Sequence, residues 1–263
     1  MRKDSEAIWR SFGMVDSITI YPLADVHLGA EESAMPAFSR LVAEIAADPN
    51  AYVVLAGDLL DAGLKNSVTN VYRATMPPSQ QKREMADTLK IIRDKILCIV
   101  PGNHERRSVS EVDDCPSYDI ASKLDLEDVY RENMAVLRLT MGDRGGHHHN
   151  RDYRYNIVVM HGTGGGSHPG ATVNRNEMYL GGMDGIDVLI AAHAHKPYAL
   201  RGSKLVFDIA NRRMVQRPTL SMCAGSWMNY GGYPIAAQMR PVAEPGANKL
   251  VLHGTRFRFE AVV

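Results

Sequence analysis

Residues 53–61 read VVLAGDLLD: a short apolar run, then a glycine, then a carboxylate. A β-branched run of this length bounded by Gly has the pattern of a buried strand, expected here over residues 52–56. Gly57 removes a side chain where the backbone must come close to whatever Asp58 serves. Two similar segments flank this one. Upstream, LADVHLG (residues 23–29) closes a strand expected over 17–23; downstream, VPGNHE (residues 100–105) follows one over 96–100. Between them lie helical patterns at 36–47 and at 79–95, the second with Met85, Leu89 and Ile92 on one face. Strand, helix, strand, helix, strand is an α/β order.

The rest of the chain is richer in strands, with runs at 135–141, 153–160, 188–192, 205–209, 219–223 and 250–260. So many strands call for two packed sheets rather than one. The expected fold is therefore α/β, with two packed mixed β-sheets flanked by helices in an αββα sandwich. Neither a repeat nor a long linker divides the sequence, so residues 1–263 are expected to form one domain. Residues 142–152 (GDRGGHHHNRD) contain no apolar side chain and read as a hairpin tip.

Lys plus Arg and Asp plus Glu each number 30, so the formal net charge is zero. Any attraction to nucleic acid must then be local. The three cysteines, Cys98, Cys115 and Cys223, lie far apart and lack the spacing of a zinc knuckle or a disulfide framework, which points to a reducing cytoplasm. Cys98 and Cys223 sit in apolar runs and read as core residues. The opening MRKDSEAIWRSFGM scatters charges through itself, and no later run is long and apolar enough to span a bilayer, so no membrane partner is expected.

Polar residues collect where strands are expected to end. Asp25 and His27 stand two apart, a spacing that puts strand residues on one face. Asp58 ends the next strand, and Asn103 and His104 follow the third on a turn after Gly102. His161 ends YNIVVM, and His193 and His195 follow DVLIAA as a second pair two apart. A single strand-end His or Asp is ordinarily structural, but five such ends in one chain are hard to reconcile with accident. Four imidazoles, two carboxylates and one amide oxygen exceed the needs of one ion; they suit two divalent ions sharing a carboxylate at roughly 3.5–4 Å. Nitrogen and oxygen ligands without thiolate favour Mn, Fe or Zn over Ca, with Mn first.

These residues together resemble the calcineurin-like metallophosphoesterase family, whose motifs D-x-H, G-D, G-N-H-D/E, H and G-H-x-H occur in this order. The resemblance runs from Asp25 to His195, about two thirds of the chain, with Ala192 where the family has Gly. It implies that Asp25, His27 and His195 hold one metal, that Asn103, His161 and His193 hold the other, and that Asp58 bridges them. It leaves His104 unligated, to protonate the leaving oxygen, with Glu105 orienting its ring. The activity implied is hydrolysis of a phosphate ester, first a phosphodiester in nucleic acid or a nucleotide, with a phosphomonoester as the alternative. Glu105 in GNHE is the form that protein phosphatases show. A non-catalytic scaffold of the same fold is a remote third reading.

Several further residues are candidates for substrate contact. Arg106 and Arg107 directly follow the GNHE motif and read either as a grip on a second phosphate or a phosphodiester backbone or as helix-start or surface arginines, and His168 follows His161 closely. Residues 162–170 (GTGGGSHPG) read either as a phosphate cradle or as a loop. Arg201, Lys204, Arg212, Arg213 and Arg217 form a basic stretch suited to a nucleic acid strand or to protecting strand edges. His147, His148 and His149 read as an exposed polar turn. Asp61 and Asn66 loosely resemble a loop of the family's DNA-repair nucleases. Residues 63–82 read as a substrate-side loop or a contact of a homodimer, and residues 256–259 as a half-buried strand with its aromatics inward.

Overall fold

The computed structural model describes residues 3–64, 71–142, 152–164, 168–231, 235 and 244–263. Its first sheet has six strands in the order β1 (Ile8–Ser11), β5 (Met134–Met141), β6 (Tyr153–Met160), β7 (Val188–Ala191), β9 (Arg213–Cys223) and β8 (Tyr198–Asp208). Its second has five in the order β11 (Phe259–Val262), β10 (Lys249–His253), β2 (Ser17–Leu23), β3 (Ala51–Leu55) and β4 (Ile96–Ile99). Both are mixed: β2, β3 and β4 run parallel while β10 opposes β2. In the other sheet β6, β7 and β9 run parallel, β5 opposes β6 but pairs parallel with β1, and β8 opposes β9.

Strand alternation explains how the sheets meet. Ile18 and Ile20 of β2, Leu137 and Leu139 of β5, and Ile157 and Val159 of β6 join one fully buried cluster between the sheets. Each such side chain contributes about 1.5–3 kcal/mol by leaving water. The outer face of the five-stranded sheet carries Val53 and Leu55 against Phe38, Val42 and Ile45 of α1 (Met35–Ala47) and Met85 and Leu89 of α2 (Pro78–Leu89). The outer face of the six-stranded sheet packs Val158 and Leu189 against Leu180 of α5 (Pro169–Gly181). Helix, sheet, sheet, helix is the expected αββα arrangement. Among the described residues no helix is long and apolar enough to cross a membrane.

Several boundaries differ from the expectation. The helix expected over 79–95 begins at Pro78 and gives way at Lys90–Lys95 to a 3-10 turn, so the end of the 63–82 segment belongs to the first turns of α2. Three helices went unforeseen: α3 (Asn103–Val112), α4 (Pro116–Lys123) and α5. α3 shows no apolar stripe to read because the residues it buries, Glu105 and Ser108, are polar. The single strand expected over 250–260 is a hairpin, with β10 and β11 pairing antiparallel and 254–258 as the bend between them. Phe259 is buried, but Phe257 in that bend is partly exposed. β5 and β6 form the expected hairpin with Met141 opposite Tyr153, while most of its tip, including His147, His148 and His149, lies outside the described residues. So do Asn66 and residues 165–167.

One side chain fastens the sheets together. Tyr155 on β6 sends its hydroxyl across the interior, where it donates to the His253 carbonyl at 2.6 Å and accepts from the Arg258 N–H at 3.1 Å. Its ring stacks on Phe257 at 5.1 Å. Tyr155→Phe keeps the ring and strands these backbone groups, so it is expected to cost about 1–2 kcal/mol. Urea unfolding of the two proteins side by side measures the difference; an unchanged midpoint would count against this role for the hydroxyl.

Candidate metal centre

Parallel strands bring their carboxyl ends to one edge, and both sheets use this. From the five-stranded sheet come Asp25 and His27 beyond β2, Asp58 beyond β3, and Asn103 and His104 beyond β4. From the six-stranded sheet come His161 beyond β6, His193 and His195 beyond β7, and Ser226 beyond β9. Strand alternation does not account for the two pairs. β2 stops at Leu23, and Asp25 and His27 both lie in the left-handed region with φ 52° and 49°. His193 and His195, at φ 69° and 52°, repeat the arrangement beyond β7, and Asp58 stands at φ 49°. Each such non-glycine residue costs about 1–2 kcal/mol. Backbone hydrogen bonds between the strand ends hold them there: Asp25 N–H to the Gly57 carbonyl at 3.0 Å, and His27 N–H to the Asp58 carbonyl at 3.0 Å.

The side chains converge in two groups. In one, Asp25 Oδ1 lies 3.3 Å from His195 Nε2, which is 3.2 Å from His27 Nε2. In the other, His161 Nε2 lies 3.0 Å from Asn103 Oδ1, 3.2 Å from Asp58 Oδ2 and 3.2 Å from His193 Nδ1. The same Asp58 oxygen is 3.9 Å from His27 Nε2, so it faces both groups.

The donor set asks for cations. His161 Nδ1 sits 2.8 Å from the Ala56 carbonyl, which only accepts, so Nδ1 carries a proton and Nε2, facing Asp58, Asn103 and His193, is the atom on which a metal ion would displace a proton. Asp25 Oδ1 is buried with no hydrogen-bond donor among the described residues. Burial pulls His161 down, but Asp58 and Asp25 outweigh it and push the imidazole up to about 9. Burial likewise favours neutral carboxyls at Asp58 and Asp25, yet His161 and His195 respectively hold them below the usual carboxylate range. Burial and the nearby His104 pull His27 down to about 3, and burial and His161 lower His193. Bare imidazole lone pairs facing carboxylates are the chemistry of a site for divalent ions. Three clusters, Asp25/His27/His195, His27/Asp58/His104 and Asp58/His161/His193, have ligand atoms close enough to hold them.

Backbone packing here leaves no room for β-carbons at two positions. A Cβ on Gly57, at φ +88°, would stand 2.4 Å from the Gly102 nitrogen, and one on Gly102 would stand 2.0 Å from Asp58 Oδ1. The first turn of α3 consequently points at Asp58, whose Oδ1 accepts the His104 N–H at 2.8 Å at the positive end of the helix.

Glu105 does not orient His104. Its fully buried carboxylate accepts from the N–H groups of Asp58 and Leu60, each at 3.0 Å, and of Gly102 at 2.8 Å. It thus fixes the backbone on both sides of Asp58 and caps the helix that carries it. Burial and the Asp58 charge raise its carboxyl above the usual range, against the pull of these donors. The partner of His104 is Asp61, whose carbonyl lies 2.8 Å from Nδ1 and whose carboxylate oxygen lies 3.4 Å from it. Arg107 closes on the same nitrogen at 2.7 Å. Nε2 is left facing the cluster, 4.0 Å from Asp58 Oδ2. Burial lowers the His104 pKa, but Asp61 and Asp58 outweigh it and raise it.

Other candidates lie elsewhere. Arg106 turns away to the carbonyls of Glu132 and Asn133. His168 is exposed just before α5, and among the described residues no contact joins it to the cluster. The basic stretch lies on the β8–β9 ribbon, which leaves the site at Tyr198 and Cys223 and ends at Asp208 and Arg213, about 33 Å away at the rise of a strand. One contributor was missed: Ser226 Oγ lies 3.3 Å from His195 Nδ1 and holds that ring. Gly225-Ser226 repeats the strand, glycine, polar-residue pattern of Gly57-Asp58. Cys98 and Cys223 are buried free thiols, and burial pushes Cys223 up to about 12, well away from nucleophilic use.

Residues 18–197 match the family model for calcineurin-like phosphoesterases. Among curated proteins none matches. Three solved structures show weak likeness at 12% identity. A predicted phosphoesterase from Streptococcus pneumoniae aligns over 94% of this chain and 90% of its own, with a TM-score of 0.38. A calcineurin-like phosphoesterase from Bacillus subtilis covers 90% and 84% with a TM-score of 0.36. A phosphatase from Mycoplasma pneumoniae covers 95% and 94% with a TM-score of 0.38.

Glu105→Gln tests the backbone clamp. An amide offers one acceptor where the carboxylate offers two, so at least one of the three N–H groups meets another donor. The expected loss is about 2 kcal/mol, read as a lowered thermal midpoint, together with weaker uptake of divalent ions. Normal stability and normal metal uptake would show that the clamp is dispensable.

Proposed function

Because the chain belongs to the calcineurin-like phosphoesterase family, we propose that it hydrolyses phosphate esters with two divalent ions, on a phosphodiester of a nucleotide or nucleic acid. The observation that carries the two-metal reading is the pair of ligand groups facing one Asp58 oxygen. Asp25, His27 and His195 would hold one ion and Asn103, His161 and His193 the other, with Asp58 serving both. Nitrogen and oxygen donors favour Mn, with Fe or Zn as alternatives. When bound, such ions acidify water and neutralise charge gathering on the phosphoryl group.

The chain's own residues then have distinct tasks. The Asp61 carbonyl and carboxylate beside His104 Nδ1 call for a proton there, and the protonated ring that Asp61 and Asp58 favour carries a second proton on Nε2, the atom facing the cluster. From Nε2 the proton passes to the departing oxygen. Asp61 keeps the ring oriented, and the charges of Asp61 and Asp58 favour its protonated form. Arg107 is also the guanidinium beside the site, placed to meet a phosphodiester oxygen. A phosphomonoester is the second reading, favoured by the turning away of Arg106, which leaves less positive charge to follow a longer backbone.

Metal-stripped protein refilled with Mn²⁺ should cleave bis-(p-nitrophenyl) phosphate faster than p-nitrophenyl phosphate, and Asp58→Asn should abolish both activities. His104→Ala should bind the metals normally and lose about 10²–10⁴ in turnover. A strong preference for the monoester would select the second reading. Full turnover in His104→Ala would remove its proton from the reaction.

A further inference from the structure

The ribbon formed by β8 and β9 extends well past the rest of its sheet. β7 pairs only with residues 220–223 of β9, whereas β8 pairs with β9 along all of 213–223. β8 is the last strand of the sheet, so among the described residues its outer backbone groups have no strand partner. Cross-strand partners share a face, and one face of the ribbon presents Leu205, 72% exposed, and Phe207, 57% exposed, with Met214, 56% exposed, opposite Phe207. A long apolar edge left open is a template for a further strand.

The sequence of that edge fits a copy of itself. Residues 204–208 read Lys-Leu-Val-Phe-Asp. Two identical strands added edge to edge in antiparallel sense are related by a two-fold axis perpendicular to the sheet, so opposed residues must share a face. An axis through Val206 sets Val206 against the partner's Val206, Leu205 against the partner's Phe207, and Lys204 against the partner's Asp208. Each of the last two pairings occurs twice. Moving the axis to Leu205 sets Lys204 against the partner's Val206; moving it to Phe207 sets Asp208 against that same residue. Only the axis at Val206 joins the charges and the apolar side chains together. Lys204 already donates to the Leu180 and Met183 carbonyls at the end of α5, and an ammonium has a third N–H to give. Asp208 accepts from Asn211 and keeps lone pairs in reserve.

We propose that the outer edge of β8 is a homodimer interface, on which a second copy of this chain adds its own β8 antiparallel about Val206 and joins the six-stranded sheets into one of twelve. The metal clusters, at the Tyr198 end of each ribbon, stay uncovered and at opposite ends of the joined sheet.

Light scattering on the purified full chain over a wide concentration range should show a monomer–dimer equilibrium. Asp208→Lys sets like charges against each other and should weaken dimerisation at least tenfold while leaving phosphoesterase turnover unchanged. Val206→Cys should give a covalent dimer under mild oxidation, because its mate lies directly opposite. Ser203→Cys should not, since an axis at Val206 places its mate roughly 20 Å away. Circular dichroism verifies folding of each variant. A monomer at every concentration would overturn the proposal and leave the edge to a strand of another protein. A dimer that Asp208→Lys does not weaken, or that Ser203→Cys cross-links as well as Val206→Cys, would overturn it too.

Discussion

Asp25 and Asp58 are almost completely buried, and they are buried beside each other's ligands. An ionised carboxylate away from water is tolerated only when paired and hydrogen-bonded. Much of the surrounding structure serves that requirement. His161 and His195 lie against the two carboxylates, the His104 N–H in the first turn of α3 donates to Asp58 Oδ1, and the His193 N–H donates to Asp25 Oδ2. One buried oxygen of the site, Asp25 Oδ1, is still left without a donor among the described residues. The polypeptide alone does not close the charge account, and divalent ions would.

The same requirement reaches the backbone. Five of the converging residues take left-handed conformations that cost free energy, and none of them is glycine. Placing side chains at those positions, on turns that curl inward immediately beyond parallel strands, brings ligands from two sheets within hydrogen-bond distance of one another. Glycine appears where two such turns touch, at Gly57 and Gly102. Glu105 then ties the Asp58 turn to α3, so that strand end and helix start behave as one piece. Residual strain of this kind is typical of functional sites and persists only where the surroundings over-determine it.

What was legible in the sequence follows from these physics. The apolar strands β2, β3, β4, β6 and β7 stood out because buried parallel strands are continuous apolar runs. The polar residues at their ends stood out for the same reason, by contrast. The spacing of Asp25 and His27 gave the right neighbours on the wrong grounds, since left-handed turns, not strand faces, orient them. α3 stayed hidden because it buries polar groups that serve the site, and periodicity counts only apolar ones. The role of Glu105 was out of reach because two of its three partners are main-chain N–H groups 45 and 47 residues away, which no side-chain pattern records. The length of β8 was missed because most of its residues are exposed.

The place of β10 in the second sheet bears on the order of events during synthesis. β10 pairs with β2, one of the first strands made, and Tyr155 is held by the bend that follows β10. The strand leading to Asp25 and His27 therefore keeps an open edge until residues 249–253 have been translated. All the converging ligands are present once His195 is made, yet roughly 58 more residues, or roughly 3–12 s of translation, separate it from His253. During that interval the nascent chain exposes an apolar strand edge next to a complete set of ligands. Early capture of ions would help to hold the two half-built sheets together until the closing strand arrives.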